Sequence, residues 1–155
     1  MNNERTFVIS LGGSMIVPEN INTAFLSSFV DLIRERVRSG DRFYITTGGG
    51  ATSRRYTEAA ETLAEVSAED LDWMGIQSTR INAELVRALF RPLTPERIVY
   101  GRDDLGTIGD YAVIVGGGWQ PGGSSDMATV FVAGEIGSKH VINLSNVSFV
   151  YTADP

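Results

Sequence analysis

The chain has 155 residues, no cysteine, a formal net charge of −6, and 43% apolar against 21% charged residues. That composition describes one globular domain over residues 1–155, not a disordered chain, and it excludes a disulfide framework and a thiolate metal centre. Lys and Arg form no cluster beyond Arg54 and Arg55; nucleic acid polymers require a basic stripe that neutralises phosphates, so they are excluded as partners, whereas a small anion in a local pocket is not.

The first residues, MNNERTFVIS, show no signal-peptide pattern, and no apolar run reaches the ~20 residues of a membrane span. The expected compartment is the cytoplasm, without membrane contact. Thr6–Leu11 (TFVISL) reads as a first strand, halted by Gly12 and Gly13. Over residues 22–38, Phe25, Phe29, Leu32, Ile33 and Val37 recur at helical spacing, with an Asn at the start and Gly40 past the end. Arg42–Thr47 (RFYITT) is a second strand that ends in Gly48, Gly49 and Gly50. Helical patterns follow over 53–66 and 68–90, then strands at 97–100 (RIVY) and 111–115 (YAVIV), a helix over 125–135 and a strand over 140–145. His140 has no nameable relay partner and takes a structural or neutral role.

Strands alternating with helices predict a parallel sheet covered on both faces. Glycine-rich loops close the strands at 12–14, 48–50 and 116–125. In a parallel sheet the carboxyl ends share one edge, so these loops are expected to converge. Glycines let several backbone N–H groups approach a phosphate, and helices starting nearby add unpaired donors and a positive dipole end. Arg54 and Arg55 lie one helical turn beyond GGG. A guanidinium there either forks onto phosphate oxygens or solvates a helix face; the pattern favours the first for Arg54 and the second for Arg55. None of the loops is G-x-x-x-x-G-K-[ST], and GGG does not make G-x-G-x-x-G. Several phosphate-sized nests on one edge suit phosphoryl transfer between two ligands, which needs positioning and charge stabilisation but no nucleophilic side chain.

The segments VISLGGSMI, TTGGGATSRRY, DWMGIQSTRINA, GGGWQPGGSSDMA and NLSNVSFVYTADP resemble, in order and over nearly the whole chain, the motifs of uridylate kinases of the amino acid kinase superfamily, the archaeal-type branch in particular. The resemblance implies a three-layer αβα sandwich around a mainly parallel sheet, a homo-oligomer (a hexamer in the family), and transfer of the γ-phosphoryl group of ATP to UMP with Mg2+. It implies that Gly13, Ser14, Gly50, Arg54, Ser145, Tyr151 and Asp154 face ATP. Gly49 would meet the UMP phosphate and Asp72 the ribose, while Trp119, Gln120, Pro121, Gly122, Gly123, Ser124 and Ser125 would wrap the acceptor. Arg54 and Asp126 would serve the transfer itself. Read from the residues alone, Asp72 is equally a helix-surface acid, and Trp119 either stacks on a base or packs in the core.

Three departures accompany the likeness. Ser10 stands where many superfamily kinases carry a lysine, and Ser148 and Phe149 replace an Asp-Gly pair. Family members also continue well past the position of Pro155, so the chain is expected to be a fragment or a truncated gene product. Two other readings accommodate these departures: a sibling kinase acting on another small acceptor, and a catalytically silent nucleotide-binding or assembly subunit.

Overall fold

The structure is a computed structural model that describes residues 5–107 and 109–146. Among them, strands β1 (Thr6–Leu11), β2 (Arg42–Thr47), β3 (Val113–Gly116) and β4 (His140–Leu144) form a sheet in the order β3-β2-β1-β4, with every neighbouring pair parallel. Parallel neighbours require crossovers, and helices supply them. They are α1 (Gly13–Ile16) and α2 (Thr23–Arg38) after β1, α3 (Gly50–Leu63) and α4 (Ala68–Leu89) after β2, and α5 (Ser125–Glu135) after β3.

The central strands β1 and β2 are covered on both faces, which is why successive residues are buried without alternation, the polar Ser10, Thr46 and Thr47 included. Successive residues serve opposite layers. Ile9, Leu11, Phe43 and Ile45 pack with Leu26, Phe29 and Ile33 of α2 and with Ala83 and Val86 of α4. Val8 and Tyr44 turn the other way, onto Val132 and Ala133 of α5. The result is the αβα sandwich expected from the alternation of strands and helices.

Helix α2 shows how the local sequence supports the layers. Leu26, Phe29, Val30 and Ile33 form its buried face, and the Asn22 side chain caps it by accepting the Phe25 N–H at 3.1 Å. Past its end, Gly40 adopts φ +93° and Asp41 is buried between Arg5, at 3.2 Å, and Arg36.

Three local expectations are corrected. Residues 97–100 form only a single bridge, Val99 to Gly116. The Tyr100 N–H is taken by the Asp104 side chain at 2.7 Å, and the chain turns into a 3₁₀ segment at Arg102–Thr107, so the ladder cannot extend. Helix α3 begins at Gly50, not at residue 53, because the Ala51 N–H finds the Val17 carbonyl at 2.9 Å and starts the helix inside the glycine run. The short helix α1 stands where the sequence reads as loop; Gly12 at its N-cap and Gly13 at its first position hide the turn from propensity.

Candidate functional site

All four strands point their carboxyl ends at one edge, and the glycine loops meet there as expected. Their glycines serve a closer purpose than ligand approach alone. A Cβ on Gly13 would lie 2.0 Å from the Gly50 nitrogen and 2.7 Å from the Gly48 carbonyl carbon. Gly50 itself takes φ +62°, and a Cβ there would reach 2.3 Å from the Gly13 carbonyl oxygen. The loops after β1 and β2 interlock backbone to backbone, and only glycine fits. Leu11 accepts the Gly48 N–H at 2.9 Å and Leu144 accepts the Gly12 N–H at 2.8 Å, which joins the tips of β1, β2 and β4.

Beside this junction lies a cleft of about 410 Å³, lined by Gly49, Asp72, Gly118, Gln120, Gly123 and Ser125, with Ser53, Thr57 and Glu61 of α3 and Leu71, Gly75, Ile76 and Thr79 of α4 along its walls. Gly49 is the residue before α3 and Ser125 the first of α5, so two helix N-termini open into one space, a favourable setting for an anion. The exposed Asp72 accepts the Gly122 N–H at 2.8 Å, which bridges α4 to the loop between β3 and α5. Gly122 adopts φ +78°, and Pro121 is half-buried beside it. Ser124 caps α5 by accepting the Met127 N–H at 3.1 Å.

Helix α4 also holds this loop through residues that the sequence reading did not single out. Thr79 Oγ1 accepts the Gly118 N–H at 2.6 Å. Arg80 donates from Nε to the Gly118 carbonyl at 3.2 Å and from Nη2 to the Tyr100 carbonyl at 3.4 Å, with its guanidinium over the Tyr100 ring. Beside them in STRIN, Ser78 and Asn82 are buried polar residues in the helical stripe and meet backbone carbonyls, as such residues must; nothing in the sequence marks Thr79 or Arg80 in the same way.

Asp126, in the first turn of α5, accepts the Ser10 hydroxyl at 2.6 Å from β1. Ser10 is buried and Asp126 exposed, so the hydroxyl fixes the carboxylate at the edge of the sheet. Ser14 donates to Asn146 Oδ1 at 2.8 Å, joining the β1 tip to the segment after β4, where Ser145 also lies. Arg54 is exposed and donates to the Pro18 carbonyl at 3.3 Å; it is not among the residues lining the cleft. Trp119 packs edge-on against Phe131, with ring centroids 5.3 Å apart, and faces a neighbouring apolar cleft of about 320 Å³ with Met127 and Arg102. The structure therefore groups Gly49, Asp72, Gln120, Gly123 and Ser125 in one space, keeps Gly13, Ser14 and Gly50 at the adjoining junction, and places Trp119 behind the loop. Tyr151 and Asp154 lie outside the described residues.

Beneath the loop, the buried Tyr44 has its pKa raised, first by burial and then by the nearby charge of Asp104, so the phenol stays neutral. A Cβ on Gly116 would come within 2.9 Å of its hydroxyl. No helix among the described residues is long and apolar enough to cross a membrane.

The chain matches the Amino acid kinase family over residues 5–155. It is 33% identical over 149 residues to the uridylate kinase of Methanocorpusculum labreanum, covering 96% of this chain and 63% of that protein. The crystal structure of uridylate kinase from Archaeoglobus fulgidus superposes with a TM-score of 0.81 at 30% identity, over 96% of this chain and 67% of that one. Aspartate kinase from Synechocystis, at 14% identity and a TM-score of 0.77 over 29% of its length, shares the fold alone. The chain thus spans under two thirds of the length of the Methanocorpusculum relative. With the motif order, the interlocked glycine loops and these likenesses together, the chain belongs to the amino acid kinase family.

Proposed function

We propose that the described residues form the acceptor side of a UMP kinase centre, at which the γ-phosphoryl group of ATP passes to UMP to give UDP in cytoplasmic pyrimidine nucleotide synthesis. The observation that carries the reading is the cleft in which Gly49, Asp72 and Ser125 face one space beside the Gly13 and Gly50 junction. UMP lies with its phosphate at the starts of α3 and α5 and its ribose at Asp72. A carboxylate has about four acceptor sites, so the bond to Gly122 leaves capacity for sugar hydroxyls. ATP approaches from the β1 and β4 tips, past Gly13, Ser14 and Ser145, and its phosphates meet the acceptor near Gly50.

Transfer of this kind depends on positioning and on charge stabilisation of a loose transition state. The backbone amides and helix N-termini are preorganised for that role. Arg54, one turn into α3, swings from the Pro18 carbonyl to the transferring group. Magnesium takes oxygen ligands from one or two carboxylates together with nucleotide phosphates; Asp126, fixed by Ser10, fits that donor set, and the ion when bound neutralises charge on the phosphoryl oxygens. The exposed Tyr56, Trp73 and Ile81 along the α3 and α4 face favour a homo-oligomer, hexameric as the resemblance implies, which size measurement in solution tests.

A coupled assay with ATP, magnesium and a panel of acceptors tests the function. UDP formation supports it, phosphorylation of another small acceptor selects the sibling-kinase reading, and UMP binding without turnover selects the silent subunit.

A further inference from the structure

Asn82 sits in the middle of α4 with 4% of its surface exposed, among residues that pack against the sheet. Its Nδ2 donates to the Gly48 carbonyl at 2.8 Å and to the Gly49 carbonyl at 3.1 Å. A buried amide is costly unless it is paired, and both donors of this one go to a single loop. That loop needs an external clamp. Three consecutive glycines carry no side chains to restrict them and lose the most conformational freedom on ordering, and no side chain caps α3 at Gly49.

The clamp has a direction. A trans peptide is planar, with its carbonyl and the following N–H pointing opposite ways. Fixing the Gly48 carbonyl on Asn82 therefore turns the Gly49 N–H away from Asn82, at the start of α3 where Gly49 lines the cleft; the Gly50 nitrogen packs against Gly13 at the junction. We propose that Asn82 is a positioning residue for the acceptor phosphate, aiming the Gly49 amide through the carbonyl of Gly48 and holding the start of α3 through the carbonyl of Gly49. The proposal rests on the reading of the adjacent cleft as the UMP site. It separates two roles on one helix: Asp72 addresses the sugar directly, and Asn82 addresses the phosphate through the backbone.

The test compares UMP with uridine, which lacks the phosphate, by calorimetric titration of the purified protein and of Asn82→Ala and Asn82→Asp. The preference for UMP over uridine is expected to fall by about tenfold or more in both variants, because amides in the wrong direction lose charge-assisted bonds to phosphate. Uridine affinity is expected to stay within about threefold of the parent value. A purely structural role would weaken both ligands together, and that result, or an unchanged preference, overturns the proposal. In the unsubstituted protein, which needs no variant to fold, the Asn82 side-chain amide proton resonances are expected to shift with UMP and not with uridine; no difference between the ligands also overturns it. A parent protein that binds UMP no better than uridine rejects the site reading itself, and the proposal with it.

Discussion

The Asp72 carboxylate and the Gly122 backbone N–H are 2.8 Å apart, so one acidic side chain both closes the acceptor loop onto α4 and faces the cleft. Replacing Asp72 with Asn keeps an acceptor for Gly122 but removes the charge that strengthens bonds to sugar hydroxyls. The KM for UMP is expected to rise about tenfold while kcat stays within about threefold. Steady-state kinetics with UMP varied at saturating ATP measures this, and a fall in kcat alone would mean that Asp72 does not hold the ribose.

Arg54 makes one long bond to the Pro18 carbonyl and is exposed, so its removal costs little stability. Arg54→Ala is expected to lower phosphoryl transfer by about a hundredfold or more, since a charge-assisted contact in a dry site contributes ~3 kcal/mol. The melting temperature should stay nearly constant. Unchanged turnover would reduce Arg54 to a strap between α3 and the segment before α2.

The interlock of Gly13 with Gly50 predicts a contrast between two glycine substitutions. Gly13→Ala places a methyl 2.0 Å from backbone that cannot yield, and urea unfolding should show a loss of about 3 kcal/mol or failure to fold. Gly122→Ala meets nothing within 4 Å and pays only for its positive φ, about 1–2 kcal/mol. Equal losses at the two sites would contradict the interlock.

Tyr44 supplies a pH prediction. Burial raises its folded pKa above the ordinary value of 10.0, so the unfolded chain releases this proton first as pH rises. The stability tied to the neutral phenol is fully present below pH 10 and is lost above it. Its hydroxyl has no hydrogen-bond partner among the described residues, so Tyr44→Phe should leave stability at pH 7 unchanged or raise it by about 1 kcal/mol. The variant should also lose less stability between pH 9 and 11, followed by chemical denaturation. An equal alkaline loss in both proteins would assign the effect to other groups.

Much of this was legible in the chain because it is written locally. TFVISL and RFYITT are strands buried on both faces, and they show as short stretches rich in apolar and β-branched residues stopped by glycine. The spacing of Phe25, Phe29, Leu32, Ile33 and Val37 announces α2, and Asn22 its cap, although Leu32 is exposed and Leu26 and Val30 complete the buried face. The convergence of the loops followed from parallel topology alone. What stayed hidden depends on partners distant in sequence. Nothing near Gly13 reveals that Gly50 will press against it, and nothing near Asn82 names the Gly48 carbonyl as its partner. The Thr79 and Arg80 contacts with Gly118 are of the same kind. RIVY carried strand composition, but the Asp104 side chain competes for its backbone donor at Tyr100.

A crystal structure of the protein with UMP tests the central claim most directly. The account predicts the phosphate within hydrogen-bond reach of the Gly49 and Ser125 backbone at the starts of α3 and α5, and the ribose against Asp72. UMP seated between Trp119 and Phe131 instead, or a cleft left empty at saturating UMP, would contradict it.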